Sequence, residues 1–277
     1  MIKQIALDLD GTLALDNHEV SPATREALYA LHHEEGVQVV IATGRRYRTT
    51  RYVIDNLGFD VYAVCNGGAL VKSPDQKTLH SDDFHVSELA LLARDIGLTI
   101  FAQRDAHQLG GADFLIDQSN NWNASTQLHH TNNQQWCEAS DLTSGDERFL
   151  VCGCFGPEAE LALVEAAVHQ HFPNQYNVIL VPHLQTGYFY CEISQKHVDK
   201  WTGLSRIHPR YQMTHDEICT VGDQLNDMAM VQSCGHGIAM SDGHNDLKKI
   251  ARFVCGPNDK DGIVDAVNYV RRVNANQ

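Results

Sequence analysis

Most of the signals that place a chain quickly are missing from this one. It has no Cys-x-x-Cys pair, and none of its histidines has zinc-finger spacing, which removes a structural zinc module and a thioredoxin-like redox motif. No apolar stretch is long enough to span a bilayer, no segment repeats, and Met1-Ile2-Lys3 runs straight into a strand, so no secretory leader is expected. Gly235-His236-Gly237 lacks the third glycine and the following helix of a dinucleotide loop. Basic residues are scarce: 21 Lys and Arg stand against 35 Asp and Glu, a net charge of −14. That field repels phosphate backbones and anionic membranes, so no nucleic acid and no membrane is expected as a partner. An anionic small substrate would need local positive charge or a metal to offset it.

At 277 residues the chain can bury a large core, in one large or two modest domains. Its eight cysteines include several in apolar runs, as small buried hydrophobes do, and Cys152/Cys154 alternate on an expected strand as packing residues. A reducing, cytoplasmic setting fits, which makes the sequon at Asn123 irrelevant. The sixteen histidines are scattered and read mostly as surface residues.

The organising stretch is Ile5 to Leu13. An apolar run ends in Asp8 and Asp10, which lie two apart and so on one side of a strand, before Gly11-Thr12 breaks it. The carboxyl ends of strands in an open α/β sheet are where ligands bind. Two like charges this close need a hard cation between them, or one of them protonated. A calcium loop starting at Asp8 would carry glycine at its sixth position, where Leu13 stands. Asp-x-Asp-Gly by itself is also a common turn.

Ser21-Pro22 is a helix start, and Gly36 ends that helix. Residues 37–42 form a continuous apolar strand ending in Thr43-Gly44-Arg45; a helix to about Leu57 follows, then a strand over 61–65. Asn66-Gly67 is read as opening a hairpin through 69–72 and 78–80. This rhythm predicts an α/β fold with a doubly wound, mostly parallel Rossmann-like sheet. From about Phe84 the character changes: a helix over 87–96, a strand over 98–103, and a polar stretch over 105–146 expected to hold short elements that periodicity does not place. A strand over 148–155, a helix over 157–171 and strands over 178–181 and 188–193 complete an expected inserted α+β domain, 84–190. The flanks, 1–83 and 191–277, form the core, where a helix over 198–208 carries Lys200 and strands end near 221, 240 and 255 before a last helix over 261–273.

Three strand ends can therefore share one edge: Asp8/Asp10, Thr43-Gly44-Arg45 and Asp223/Asn226/Asp227. Carboxylates suit magnesium. Hydroxyl, backbone amides and a lysine suit phosphate. A carboxylate nucleophile can carry a phosphoryl group.

With those residues in view, the chain resembles the haloacid dehalogenase-like phosphohydrolases of the Cof-type branch, which carry a large inserted cap. The motifs are Asp8 to Leu13, Thr43 to Arg45, Lys200 opening a helix, and Gly222 to Met228; Asn66-Gly67, Gly237 to Met240 and Asp261 to Ile263 add to them. The resemblance covers both flanks, and the cap is similar in position and size. It implies a phosphatase acting through an aspartyl-phosphate on a small phosphorylated metabolite, with sugar phosphates foremost and pyridoxal phosphate or flavin mononucleotide behind. It implies Asp8 as nucleophile and metal ligand, and Asp10 as general acid/base giving its backbone carbonyl to the metal. Leu9, Thr43, Gly44, Lys200 and Asn226 would hold phosphate; Asp223 would bind Mg2+, with Asp227 in the metal shell. A phosphomutase, or a sensor without catalysis, are the rival functions. Three departures stand out: Trp201 where glycine is usual, Ser241-Asp242-Gly243 for Gly-Asn-Ala, and Gly68 for Ala. Trp201 could crowd the phosphate site, and a solvated helix lysine is the plain alternative for Lys200.

Overall fold

The computed structural model describes residues 1–107, 110–119, 122–183 and 186–276. The chain divides into two compact units, Met1–His80 with Asp199–Gln277, and Ser81–Val198.

In the first unit β1 (Gln4–Leu7) is buried along its whole length. Helix α1 (Pro22–His33) is capped by Ser21, whose hydroxyl accepts the Thr24 amide at 3.1 Å, and buries Leu28 and Leu31. β2 (Gln38–Ala42), α2 (Tyr47–Leu57) and β3 (Tyr62–Cys65) follow. A 3-10 turn over Asn66–Gly68 reverses the chain into β4 (Leu70–Lys72) and then β5 (Thr78–Ser81).

The second unit opens with β6 (Phe84–His85), α3 (Ser87–Ile96) and β7 (Ile100–Gln103). Within the stretch expected to hold unplaced elements lie β8 (Phe114–Asp117), α4 (Ala124–Asn133) and β9 (Cys137–Ser140). Helix α4 buries only Ser125 and Thr126, small polar residues, so no apolar stripe announces it. β10 (Arg148–Phe149), β11 (Val151–Gly156), α5 (Glu158–His171), β12 (Tyr176–His183) and β13 (Tyr188–Gln195) complete the unit. Its six-stranded sheet runs β12-β13-β11-β7-β8-β9. One apolar cluster joins strand residues to Leu89, Ala93, Leu161 and Val164 of α3 and α5, and a second gathers Phe101, Phe114, Ile116 and Phe155. The second unit runs to Val198, past the boundary expected at 190/191. Cys191 and Ile193 pair with Cys154 and Cys152, and burial of those pairs carries the strand onward to Gln195.

The chain returns to the first unit with α6 (Lys200–Ser205), α7 (His208–Tyr211), β14 (Ile218–Gly222), α8 (Met228–Ser233), β15 (His236–Met240), α9 (Asn245–Ile250), β16 (Phe253–Cys255) and α10 (Gly262–Ala275). The single helix expected over 198–208 is thus two short ones. The eight-stranded sheet runs β16-β15-β14-β1-β2-β3-β4-β5, parallel from β16 to β3. β1 pairs with β2 on one side and β14 on the other, so the strand order reverses at β1 and opens a crevice at the carboxyl ends. His208, unlike the surface position expected of most histidines, is 5% exposed. Among the described residues no helix is long and apolar enough to cross a membrane.

Candidate active site

Asp8 stands one residue past β1, its amide donating to Val221 O at 2.9 Å, so it leaves the sheet alongside β14. Thr43 stands one residue past β2, and Asp223 one past β14. The three strand ends flank the point of reversal. A Cβ on Gly222 would lie 2.5 Å from Asp227 Cβ, so glycine there lets the turn after β14 fold back tightly. In that turn Asp227 Oδ2 accepts the amides of Asp223 at 2.9 Å and Gln224 at 3.0 Å. The Thr12 hydroxyl donates to Asp223 Oδ1 at 3.2 Å. From the far side the His244 amide donates to Asp223 O at 2.7 Å, and a Cβ on Gly243 would come within 2.6 Å of that oxygen. Gly243, in the departure at 241–243, thus lies close against the Asp223 backbone.

Lys200 is brought in by helix α6. Asp199 caps it reciprocally: its carboxylate accepts the Thr202 amide at 2.7 Å, and Thr202 Oγ1 accepts the Asp199 amide at 2.9 Å. The helix lies on the 66–68 turn with no room for side chains. A Cβ on Gly203 would meet Val64 Cγ1 at 2.5 Å, and one on Gly68, at φ 120°, would meet Asp199 O at 2.0 Å. The Lys200 ammonium then donates to Asp8 Oδ1 at 2.5 Å and to Asp227 Oδ1 at 2.6 Å. At 1% exposure Lys200 is not a solvated helix lysine. Trp201 turns elsewhere, its ring 5.3 Å from that of His208 and 4.9 Å from that of His215, so it does not crowd Lys200.

Burial pushes the Asp8 carboxyl well above the usual range; Lys200 opposes this, and the charge of Asp227 adds to it. Burial also works against the Lys200 charge, but Asp8 and Asp227 outweigh it and its pKa lies above the ordinary lysine value. Asp223 is raised, chiefly by burial. Ligand oxygens of Asp8, Asp223 and Asp227 lie within 4.8 Å of one another. Three carboxylates facing one ammonium suit a hard divalent cation. The Asp227 oxygens accept from Lys200 and from two amides, and those of Asp223 accept from the Thr12 hydroxyl and, at 3.2 Å, from Gln224 Nε2.

Asp10 is placed differently. Its side chain is 57% exposed and is gripped by Arg45, from Nε to Oδ2 at 2.8 Å and from Nη2 to Oδ1. Its carboxylate is outside the Asp8/Asp223/Asp227 cluster. Leu9 and Thr43 are buried, and the Thr43 hydroxyl accepts the Arg45 amide at 3.1 Å. Gly44 and Asn226 are exposed on their turns, and a Cβ on Gly44 would meet nothing within 4 Å. Two residues without an assigned role in the sequence reading emerge here. Arg45, which grips Asp10, was visible as the end of its motif; Asn258, which donates to the carbonyls of Thr12 and Ala14, gave no local signal.

A family model described as haloacid dehalogenase-like hydrolase matches residues 5–267. The chain belongs to that family. Among curated proteins, this hydrolase is 24% identical over 291 residues to phosphatase YwpJ of Bacillus subtilis, covering 97% of this chain and 100% of that one. It is 25% identical over 268 residues to 5-amino-6-(5-phospho-D-ribitylamino)uracil phosphatase YcsE of the same organism, covering 97% and 95%. Among solved structures, a haloacid dehalogenase-like hydrolase from Bacteroides thetaiotaomicron superposes with a TM-score of 0.80 at 25% identity, covering 98% of this chain and 100% of that one.

Proposed function

We propose that this phosphatase hydrolyses a small phosphorylated metabolite, foremost a sugar or sugar-alcohol phosphomonoester, using Mg2+ and a phosphoryl-Asp8 intermediate. The observation that carries the reading is the buried Lys200 ammonium lodged between Asp8 and Asp227 where the strand order reverses.

Lys200 opposes the loss of charge that burial imposes on Asp8 and presents positive charge to an incoming phosphoryl group. In the first step an Asp8 carboxylate oxygen bonds to phosphorus, the ester P–O bond breaks, and Asp10 gives its proton to the departing alkoxide. In the second, water bonds to phosphorus, Asp10 takes the water's proton, and the bond from Asp8 to phosphorus breaks, releasing phosphate. Thr43, Asn226, Lys200 and the amides of Leu9 and Gly44 hold the phosphoryl oxygens. Mg2+, held by Asp8, Asp223 and the Asp10 carbonyl with Asp227 behind them, supplies further charge neutralisation when bound. The second unit, 81–198, is assigned the choice of substrate; substitutions there should change relative rates across substrates and spare small aryl phosphates.

A phosphate-release screen with Mg2+ over a metabolite panel tests the reading, with phosphoribityl compounds included because of the relative's name. A mutase would interconvert isomers instead, and a sensor would do neither. Asp8→Asn keeps the shape but removes the nucleophile, so turnover should vanish. A tenth of the wild-type rate surviving in that variant would end the aspartyl-phosphate route.

A further inference from the structure

Asn258 opens the short 3-10 turn after β16, far in sequence from the catalytic loop, yet its side chain reaches that loop. Its single Nδ2 group donates to Thr12 O at 3.1 Å and to Ala14 O at 2.9 Å, one hydrogen to each carbonyl. Both carbonyls belong to the loop that follows Asp10. Within that loop the Ala14 amide returns to Leu9 O at 2.8 Å, and Ala14 forms a bridge with Asp10 itself. Thr12, at the other carbonyl, donates its hydroxyl to Asp223.

The turn that offers Asn258 is itself fastened. The Gly262 amide donates to Pro257 O at 3.1 Å, a Cβ on Gly262 would sit 2.1 Å from Gly256 O, and Ser21 donates to Asp261. By contrast the Asp10 side chain is largely exposed and has little packing of its own to fix it. Arg45 grips the carboxylate, but the backbone that aims it is set by the folded loop.

We infer that Asn258 is a positioning residue for Asp10: its forked amide holds the loop carbonyls of Thr12 and Ala14, and through the Asp10–Ala14 bridge it keeps the proton donor facing the leaving oxygen. The inference rests on the acid/base role proposed for Asp10. It predicts a selective defect, not a general one. A misplaced donor slows departure of an alkoxide, which must be protonated, and hardly affects an aryl oxide, which leaves unaided.

Rapid-quench measurement of the first turnover, with an alkyl and an aryl phosphate at saturating Mg2+, tests it in wild type, Asn258→Ala, Asn258→Ser and Asp10→Asn. Misplacement of a catalytic group by about 1 Å can cost about 10²-fold, so Asn258→Ala should lose about 10–100-fold on the alkyl substrate and no more than a few-fold on the aryl one. Asn258→Ser, which keeps one donor, should fall between, and it serves as the deciding variant if the alanine protein does not fold. Equal losses on both substrates, or none, while Asp10→Asn is alkyl-selective, would overturn the role of Asn258 alone. An Asp10→Asn variant without selectivity would overturn the acid/base reading, and this inference with it.

Discussion

The Lys200 ammonium lies 2.5 Å from Asp8 Oδ1, although 192 residues separate the two in sequence. That contact joins the first strand of the chain to a helix that begins only after the second unit has been completed. It also makes the helix a determinant of the nucleophile's charge.

Replacing Lys200 by Met should therefore affect chemistry and stability together. Removing one partner from a buried ion pair typically costs about 3–5 kcal/mol, because the other charge stays buried and uncompensated. Asp8 and Asp227 would be left facing each other. We expect kcat to fall by about 10²–10³-fold, as for loss of one preorganised donor, and the thermal midpoint to drop less in Mg2+ than in chelator. Phosphate release and calorimetry on the same variant check both.

Exhaustive chelation should abolish phosphate release, and Mg2+ should restore it. Ca2+ should restore it poorly, since its larger and looser shell misplaces the phosphate. A cation that binds only the folded chain also stabilises it, by about 2.7 kcal/mol at a hundred times its Kd. The Mg2+-induced rise in thermal midpoint should be present in wild type and largely lost in Asp223→Ala. Full activity after chelation would contradict the metal assignment.

Gly203→Ala tests how closely helix α6 must lie on the 66–68 turn. The added Cβ would meet Val64 Cγ1 at 2.5 Å and Gly68 Cα at 2.9 Å, and neither belongs to a long flexible side chain. Overpacking of this kind costs about 1–3 kcal/mol. The helix should shift, and Lys200 with it, so activity should drop along with the denaturation midpoint. A variant with wild-type kcat would show that α6 tolerates displacement.

His208 sets a pH dependence away from the chemistry. Burial, aided by the charge of His215, lowers its pKa from 6.5 to about 4. Its Nε2 has no hydrogen-bond partner among the described residues. Between those two pH values the unfolded chain binds more protons than the folded one, so this residue makes stability fall as pH falls through that window. Above it both states are neutral and the contribution is constant. Thermal midpoints measured from pH 7.5 downward should decline less steeply in His208→Phe than in wild type.

Much of the first unit was legible in the chain itself. A parallel strand buried on both faces must be apolar throughout, so 37–42 and 61–65 announce themselves, and the polar residues that end such strands mark the sheet edge without any knowledge of pairing. Asp8, Thr43 and Asp223 are local in this sense, each one residue beyond a strand. Helix α4 was not legible, because its buried face is Ser125 and Thr126.

What the tertiary structure alone decided concerns direction and partnership. Trp201 and Lys200 are neighbours in the chain, yet one packs toward His208 and the other enters the carboxylate cluster, because α6 is pressed through its Gly203 onto Val64 and Gly68. Asp227, four residues beyond Asp223, turns back to give one oxygen to Lys200 and the other to two amides of its own turn. Asn258 reaches Thr12 and Ala14 across 246 and 244 residues. The residue types that carry charge and hydrogen bonds are written in the sequence. Which of them meet depends on how strands and helices distant along the chain pack, and local periodicity does not encode that.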